Sequence, residues 1–238
     1  MFGAYQVGAW SIIRQEFQPD IVLGASAGSL NAWCFASLCS DHDLSRHWLD
    51  MASMACLRWR LPTSRWSGFA DPSGLEQSVH LIYREFLPRI RTGIVLTDAW
   101  RMRGLVVWTP QVTAEHLLAS CAIPLVFPAR MIDGVRCIDG GVLAPLPMWA
   151  ALECGATEIV TIHSMPTLPG VLRAPVQLLR RIRGFSDRVP GPAVRIRTIQ
   201  PESPLGAIRD ALVWNRDSIV RWMDQGRRDA QKVLGSKR

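Results

Sequence analysis

The chain has 238 residues and a mass of 26.6 kDa, carries a formal charge of +7 with a pI near 9.6, and is 48% hydrophobic and 20% charged. That balance excludes a disordered or fibrous chain, and the length suits one sizeable core, so 1–238 is read as a single domain. No run approaches the roughly 18 apolar residues of a membrane span, and Met1-Phe2-Gly3-Ala4-Tyr5-Gln6 lacks the blocks of a secretory signal, so a cytoplasmic setting, peripheral to a membrane at most, is expected.

Val7, Trp10, Ile13 and Phe17 recur at helical spacing and predict a first helix over 4–17, stopped by Pro19. In an α/β chain a strand usually feeds the first helix, so the true start is expected upstream of Met1. Asp20-Ile21-Val22-Leu23 reads as a strand, Gly24-Ala25-Ser26-Ala27-Gly28 as a sharp turn, and 27–39 as a helix buried almost all round through Leu30, Trp33, Cys34, Phe35 and Leu38. This is the setting of a nucleophile elbow. Strain at Ser26 projects the hydroxyl outward, Gly24 and Gly28 are small because bulk there would clash with strand and helix, and the Ala27 amide opens a helix beside any charge forming near Ser26. The plainer alternative is a packed turn whose serine caps the helix.

Over 40–92 the pattern loosens into a short helix at 44–54, then Arg58-Trp59-Arg60-Leu61-Pro62 and Arg65-Trp66, then Ser73-x-x-Glu76, whose capping-box spacing opens a helix to 87. This segment reads as a cap over the site, its Arg and Trp either meeting lipid headgroups or packing inward. Residues 93–98 and 104–108 read as short buried strands, and Thr113 caps a helix through Ala119. Strands at 130–132 and 135–138 flank Asp133-Gly134, a hairpin turn, and deliver Asp139-Gly140-Gly141 at the end of the second strand. Two glycines there let the backbone turn tightly beside the Asp139 carboxylate; alone, the tripeptide is an ordinary turn.

A helix at 146–154, a strand at 157–162, a basic amphipathic helix at 171–183 and a strand at 193–199 follow. Ser203-Pro204 opens C-terminal helices that bury Ile208, Leu212, Ile219 and Trp222, and 227–238 reads as a fraying basic tail.

Six scattered cysteines and five histidines show no metal-ligand spacing, so the cysteines read as free thiols, and neither a metal nor a cofactor is expected. The positive charge favours anionic partners, and ten tryptophans favour an anionic membrane surface over nucleic acid, which has only the charge behind it. A serine hydroxyl needs a base within reach. His42, His47, His80 and His116 lie in polar, helix-like stretches; His163 follows a strand, and Asp139 ends one. On the residues alone both stay open.

Gly24-Ala25-Ser26-Ala27-Gly28-Ser29-Leu30-Asn31-Ala32, Ala119-Ser120-Cys121-Ala122-Ile123-Pro124 and Ile138-Asp139-Gly140-Gly141, in this order, resemble the patatin-like phospholipase family. The resemblance implies an α/β fold of three layers, with a central, mostly parallel sheet flanked by helices. It also implies a Ser–Asp dyad without histidine, carried by Ser26 and Asp139, with Gly140 and Gly141 as the turn supporting the base, acting on lipid acyl esters through an acyl-enzyme. In the family the oxyanion donors come from a loop, G-G-G-x-[RK]-G; here Gly3 matches its last glycine, Met1 and Phe2 stand at its variable and basic positions, and the leading glycines are absent. The expected activity is therefore a serine lipid acyl hydrolase whose oxyanion and elbow backbone includes Gly3, Gly24, Ala27 and Gly28. The alternative is a catalytically impaired relative serving as a membrane-surface or partner-binding module, and a Ser–His–Asp esterase using His163 is the third reading.

Overall fold

The apolar runs become helix α1 (Gly3–Glu16), strand β1 (Ile21–Ala25), helices α2 (Ala27–Ala36), α3 (Asp41–Asp50) and α4 (Ser73–Glu85), strands β2 (Arg91–Asp98) and β3 (Arg103–Trp108), and α5 (Ala114–Ser120). Strands β4 (Arg130–Ile132) and β5 (Val135–Asp139), helix α6 (Met148–Glu153), strands β6 (Glu158–Ile162) and β7 (Arg195–Ile199), and helix α7 (Arg216–Leu234) complete the order. The structure is a computed structural model that describes residues 1–50, 58–165, 194–207, 210 and 213–235; the basic helix expected at 171–183 lies outside them, as do Cys56, Ile208 and Leu212.

Strand β2 organises the sheet. Along one of its edges β3 runs antiparallel over residues 93–98 of β2. A strand has only two edges, so β1, parallel to residues 91–95, and β5, antiparallel to residues 96–98, must share the other. They meet head to head. Ala25 at the end of β1 lies opposite Val95, and Asp139 at the end of β5 lies opposite Leu96.

Helices flank this sheet in the expected α/β arrangement, but the sheet is mixed rather than mostly parallel. The β2–β3 and β4–β5 hairpins each add an antiparallel ladder and β2–β5 a third, while β1–β2 and the separate pair β6–β7 are parallel. Strand β2 is buried along nearly its whole length, whereas β3 is half-buried, not buried as expected.

Helix α1 rests on α7 with backbones in contact: a Cβ on Gly8 would overlap the Met223 carbonyl, and one on Gly226 the Tyr5 carbonyl. Beside that crossing the Tyr5 hydroxyl donates to Asp229 Oδ2 at 2.9 Å, both groups buried. Residues 227–234 are therefore no fraying tail; they are the packed last turns of α7, with Ala230 and Leu234 in the core. The last of the C-terminal helices, α7, starts at Arg216, where the Asn215 side chain accepts the Ser218 amide at 2.9 Å and caps it.

The capping box expected at Ser73 does not form. Ser73 is already helical, its amide donating to Asp71 Oδ1 at 3.0 Å. A box does form at α5, where Thr113 and His116 bond each other's backbone and side chain, which gives His116 a structural task. Trp10, Trp33, Trp48 and Trp222 fill the core, while Trp59 and Trp100 stand exposed. Among the described residues no helix is long and apolar enough to cross a membrane.

Candidate active site

Strand β1 ends and α2 begins across Ser26, whose φ of 55° and ψ of −135° lie where a residue with a Cβ is strained by about 1–3 kcal/mol. Neighbouring bonds hold it there. The Ser26 amide donates to Ser120 Oγ at 3.1 Å, and the Ser120 hydroxyl donates onward to the Val95 carbonyl at 2.7 Å. The Ser26 carbonyl accepts from the Ser29 amide at 2.8 Å and the Ser29 hydroxyl at 2.7 Å. Its side chain caps nothing, which removes the reading of Ser26 as a mere helix cap.

Gly24 lets α2 fold back over the end of β1, since a Cβ there would overlap the Gly28 carbonyl. Gly28 is different. A Cβ on it would meet only the Gln6 side chain, at 3.5 Å, so the expected clash with strand and helix does not exist at that position. The amide of Ala27, first in α2, has no acceptor within its own helix and lies at the positive end of the helix dipole.

Asp139 closes β5, and a single 3-10 turn, Gly140–Val142, follows it. A Cβ on Gly140 would overlap the Val95 carbonyl, so only glycine lets this turn press onto β2. The Asp139 amide donates to the Ala122 carbonyl at 3.0 Å, and its Oδ1 accepts the Gly141 amide at 2.7 Å. Its Oδ2 is buried with no closed hydrogen bond. Space at Gly141 lies between the two groups: a Cβ there would sit 3.0 Å from Asp139 Oδ1 and 3.8 Å from Ser26 Cβ. Burial pushes the Asp139 carboxyl up to about 6, while the nearby Ser26 hydroxyl and the Gly141 amide pull it back down. The hydroxyl is thus close enough to steady the charge without a closed hydrogen bond to Oδ2.

Ser26, Asp139, Gly140 and Gly141 are thus brought together at the junction of β1 and β5. Gly3 is not joined to Ser26 by any described contact. It opens α1, and its carbonyl accepts Asn31 Nδ2 at 2.9 Å. Asn31 also donates to Gln6 Oε1 at 2.7 Å and accepts the Trp48 indole at 3.0 Å, which ties α1, α2 and α3 together. His163 does not reach the serine in any described contact; its ring engages the Met165 backbone, and burial lowers its pKa.

Sequence reasoning missed Ser120, Asn31 and Gln6 as supports of the elbow. Ser120 and Asn31 stand inside the motifs quoted above, but nothing in a run of small residues tells a clamp from a spacer. Among the described residues no cluster of three or more His, Cys, Asp or Glu could hold a metal ion.

A strained serine at the end of β1, a helix-opening amide next to it and a buried carboxyl group near it, on a mixed sheet between helices, define an α/β protein with a sharp strand-to-helix turn at its centre. The family model for patatin-like phospholipase matches residues 1–152, and the chain belongs to that family, whose members are as a class lipid acyl hydrolases. In fold it is similar to VipD from Legionella pneumophila, with a TM-score of 0.50 at 12% identity over 99% of this chain and 65% of that one. The chain therefore spans about two thirds of the VipD structure. A search of curated proteins returned no match.

Proposed function

We propose that this protein is a serine lipid acyl hydrolase that works through a Ser26–Asp139 dyad and acts on lipid presented at an anionic membrane surface. One observation supports the reading: a buried carboxyl group with one unpartnered oxygen feels the hydroxyl of a strained turn serine. Burial that lifts the carboxyl to about 6 leaves it ionised at neutral pH yet basic enough to take a proton. That combination suits a general base.

In the first half-reaction the Ser26 proton passes to Asp139 as Oγ bonds the ester carbonyl carbon, and the negative charge collects on the carbonyl oxygen. The Ala27 amide is the first donor for that charge, with Gly3, held to α2 by Asn31, the candidate for a second. Collapse breaks the bond to the alcohol, which leaves with the proton from Asp139. Water then attacks the acyl-serine while giving a proton to Asp139, and the fatty acid departs as Ser26 recovers that proton.

The test is hydrolysis of a soluble short-chain ester and of a phospholipid by wild type, Ser26→Ala and Asp139→Asn. Ser26→Ala is expected to abolish turnover, and Asp139→Asn to lower it by about a hundred- to ten-thousandfold, with unchanged circular dichroism. Turnover in Ser26→Ala equal to wild type sinks the dyad. A well-folded wild type that binds lipid without cleaving either ester would instead make this a lipid-binding relative.

A further inference from the structure

Residues 58–71, between α3 and α4 in the chain, form a short two-armed ribbon. The Arg60 amide donates to the Phe69 carbonyl at 2.7 Å and the Asp71 amide to the Arg58 carbonyl at 2.8 Å, with Trp59 bridged to Ala70. The second arm is tied to the loop after α5: the Phe69 amide donates to Leu125 and the Ala70 amide to Val126, both at 2.8 Å, and the Ala129 amide donates to Trp66 at 2.9 Å. That loop leaves from Ala122, whose carbonyl holds the Asp139 amide. A short piece of backbone therefore joins ribbon and active site.

What the ribbon shows to water is unusual for a folded surface. Leu61 is 88% exposed, Leu125 71% and Trp59 65%, and beside them Trp100 is 59% exposed at the β2–β3 turn. Isolated exposed apolar residues are ordinary; several on one ribbon and the segments bonded to it mark a contact surface. They are interleaved with exposed Arg58, Arg60 and Arg65. Trp66 and Trp100 meet edge to face at 5.4 Å, the Arg65 guanidinium lies 5.5 Å from each ring, and Arg136 lies 4.9 Å from Trp66.

Charge and shape together choose the occupant. Guanidinium groups pair with phosphate, indole rings settle at the boundary between headgroups and acyl chains, and leucines on loop tips find hydrocarbon beneath. We infer that the 58–71 ribbon, with Leu125 and Trp100, docks the protein on an anionic bilayer and holds the mouth of the Ser26 site against it. This rests on the lipid hydrolase reading above. It adds the surface, its orientation and its requirement for anionic headgroups.

Flotation of the full chain with phosphatidylcholine vesicles, with and without phosphatidylserine, tests it. Wild type is expected to bind the mixed vesicles and to be released by salt. The triple variant Trp59→Ser/Leu61→Ser/Leu125→Ser is expected to lose at least about tenfold in vesicle binding, since each buried side chain alone contributes about that much. Arg60→Gln/Arg65→Gln is expected to lose roughly fivefold per arginine on mixed vesicles only. Both variants should cleave a soluble short-chain ester at the wild-type rate, which also shows that they fold. Vesicle binding by either variant equal to wild type, with the soluble ester still cleaved, overturns the docking surface. If no form cleaves any ester but vesicle binding follows the variants, the surface stands and the catalytic reading falls. If wild type ignores both vesicles, the ribbon is not a lipid surface, and its apolar tips await a protein.

Discussion

At Asp139 the needs of folding and of the proposed chemistry oppose each other. Its carboxyl titrates near 6 in the folded chain and near 3.8 as a free group, so the folded state binds the proton more tightly. That preference stabilises the fold fully below the unfolded value and is lost as pH rises through the folded one. At neutral pH the buried charge therefore costs roughly 3 kcal/mol relative to the protonated state. Asp139→Asn keeps an oxygen for the Gly141 amide and removes the charge. It is expected to raise the unfolding free energy above about pH 7 by up to that amount, with no gain below about pH 4. In the proposed dyad Asp139 must be ionised to work, so wild-type kcat/KM on a soluble ester is expected to climb through about pH 6 and then level. Urea melts at several pH values and a pH–rate profile check the two halves. A flat profile across that range, or an Asn variant less stable than wild type at neutral pH, contradicts the assignment of Asp139 as a buried base.

Among the elements, the elbow is where three of them share their bonds. Strand β1, helix α2 and the last residue of α5 meet at Ser26, and Ser120 passes the strain to β2 through Val95. Ser120→Ala leaves the Ser26 amide and the Val95 carbonyl each without that partner, and is expected to cost about 1–3 kcal/mol in a thermal melt and to lower kcat more than it raises KM. The two elbow glycines separate cleanly. Gly24→Ala drives a methyl into the α2 backbone and is expected to leave little folded, active protein, whereas Gly28→Ala brings only an ordinary contact with the Gln6 side chain and is expected to stay within about 1 kcal/mol of wild type. Equal damage from both would mean that the tight approach at Gly24 is not what the elbow requires. Much of this was open to reading in the chain, because a strand, a five-residue turn of small side chains and an apolar helix are local patterns. The difference between Gly24 and Gly28 was not. It depends on what lies above each one, and Gln6 comes from another helix. Capping failed at Ser73 for a local reason instead: Asp71, two residues earlier, captures the Ser73 amide.

For the molecule as a whole, the decisive fact is long-range. Strands β1 and β5 meet head to head on one edge of β2, and no periodicity within either strand says so; the residues alone left Asp139 and His163 both open as partners of Ser26, and the order of three motifs, through a family resemblance, favoured Asp139. The crossing of α1 and α7 is equally nonlocal. Gly8 and Gly226 look like ordinary helix-weakening residues in the chain, yet each sits where the other helix's backbone leaves no room for a methyl group. This crossing sets where α1 lies, and α1 carries Gly3 and Gln6 to the elbow helix through Asn31. An error at the crossing should therefore be felt twice, in stability and at a distance in turnover. Gly226→Ala forces α7 off the Tyr5 carbonyl and stretches the buried Tyr5–Asp229 bond, so it is expected to lower the unfolding free energy by about 1–3 kcal/mol. For a chain of this length that is a fall of about 2–4 °C in Tm per kcal/mol, with kcat reduced alongside. Val220→Ala, on the same helix but 42% exposed, is the control and should stay within about 0.5 kcal/mol. If both variants melt together with wild type, the helices do not cross backbone to backbone; if only Gly226→Ala falls in Tm while kcat is untouched, α1 does not transmit the strain to the serine.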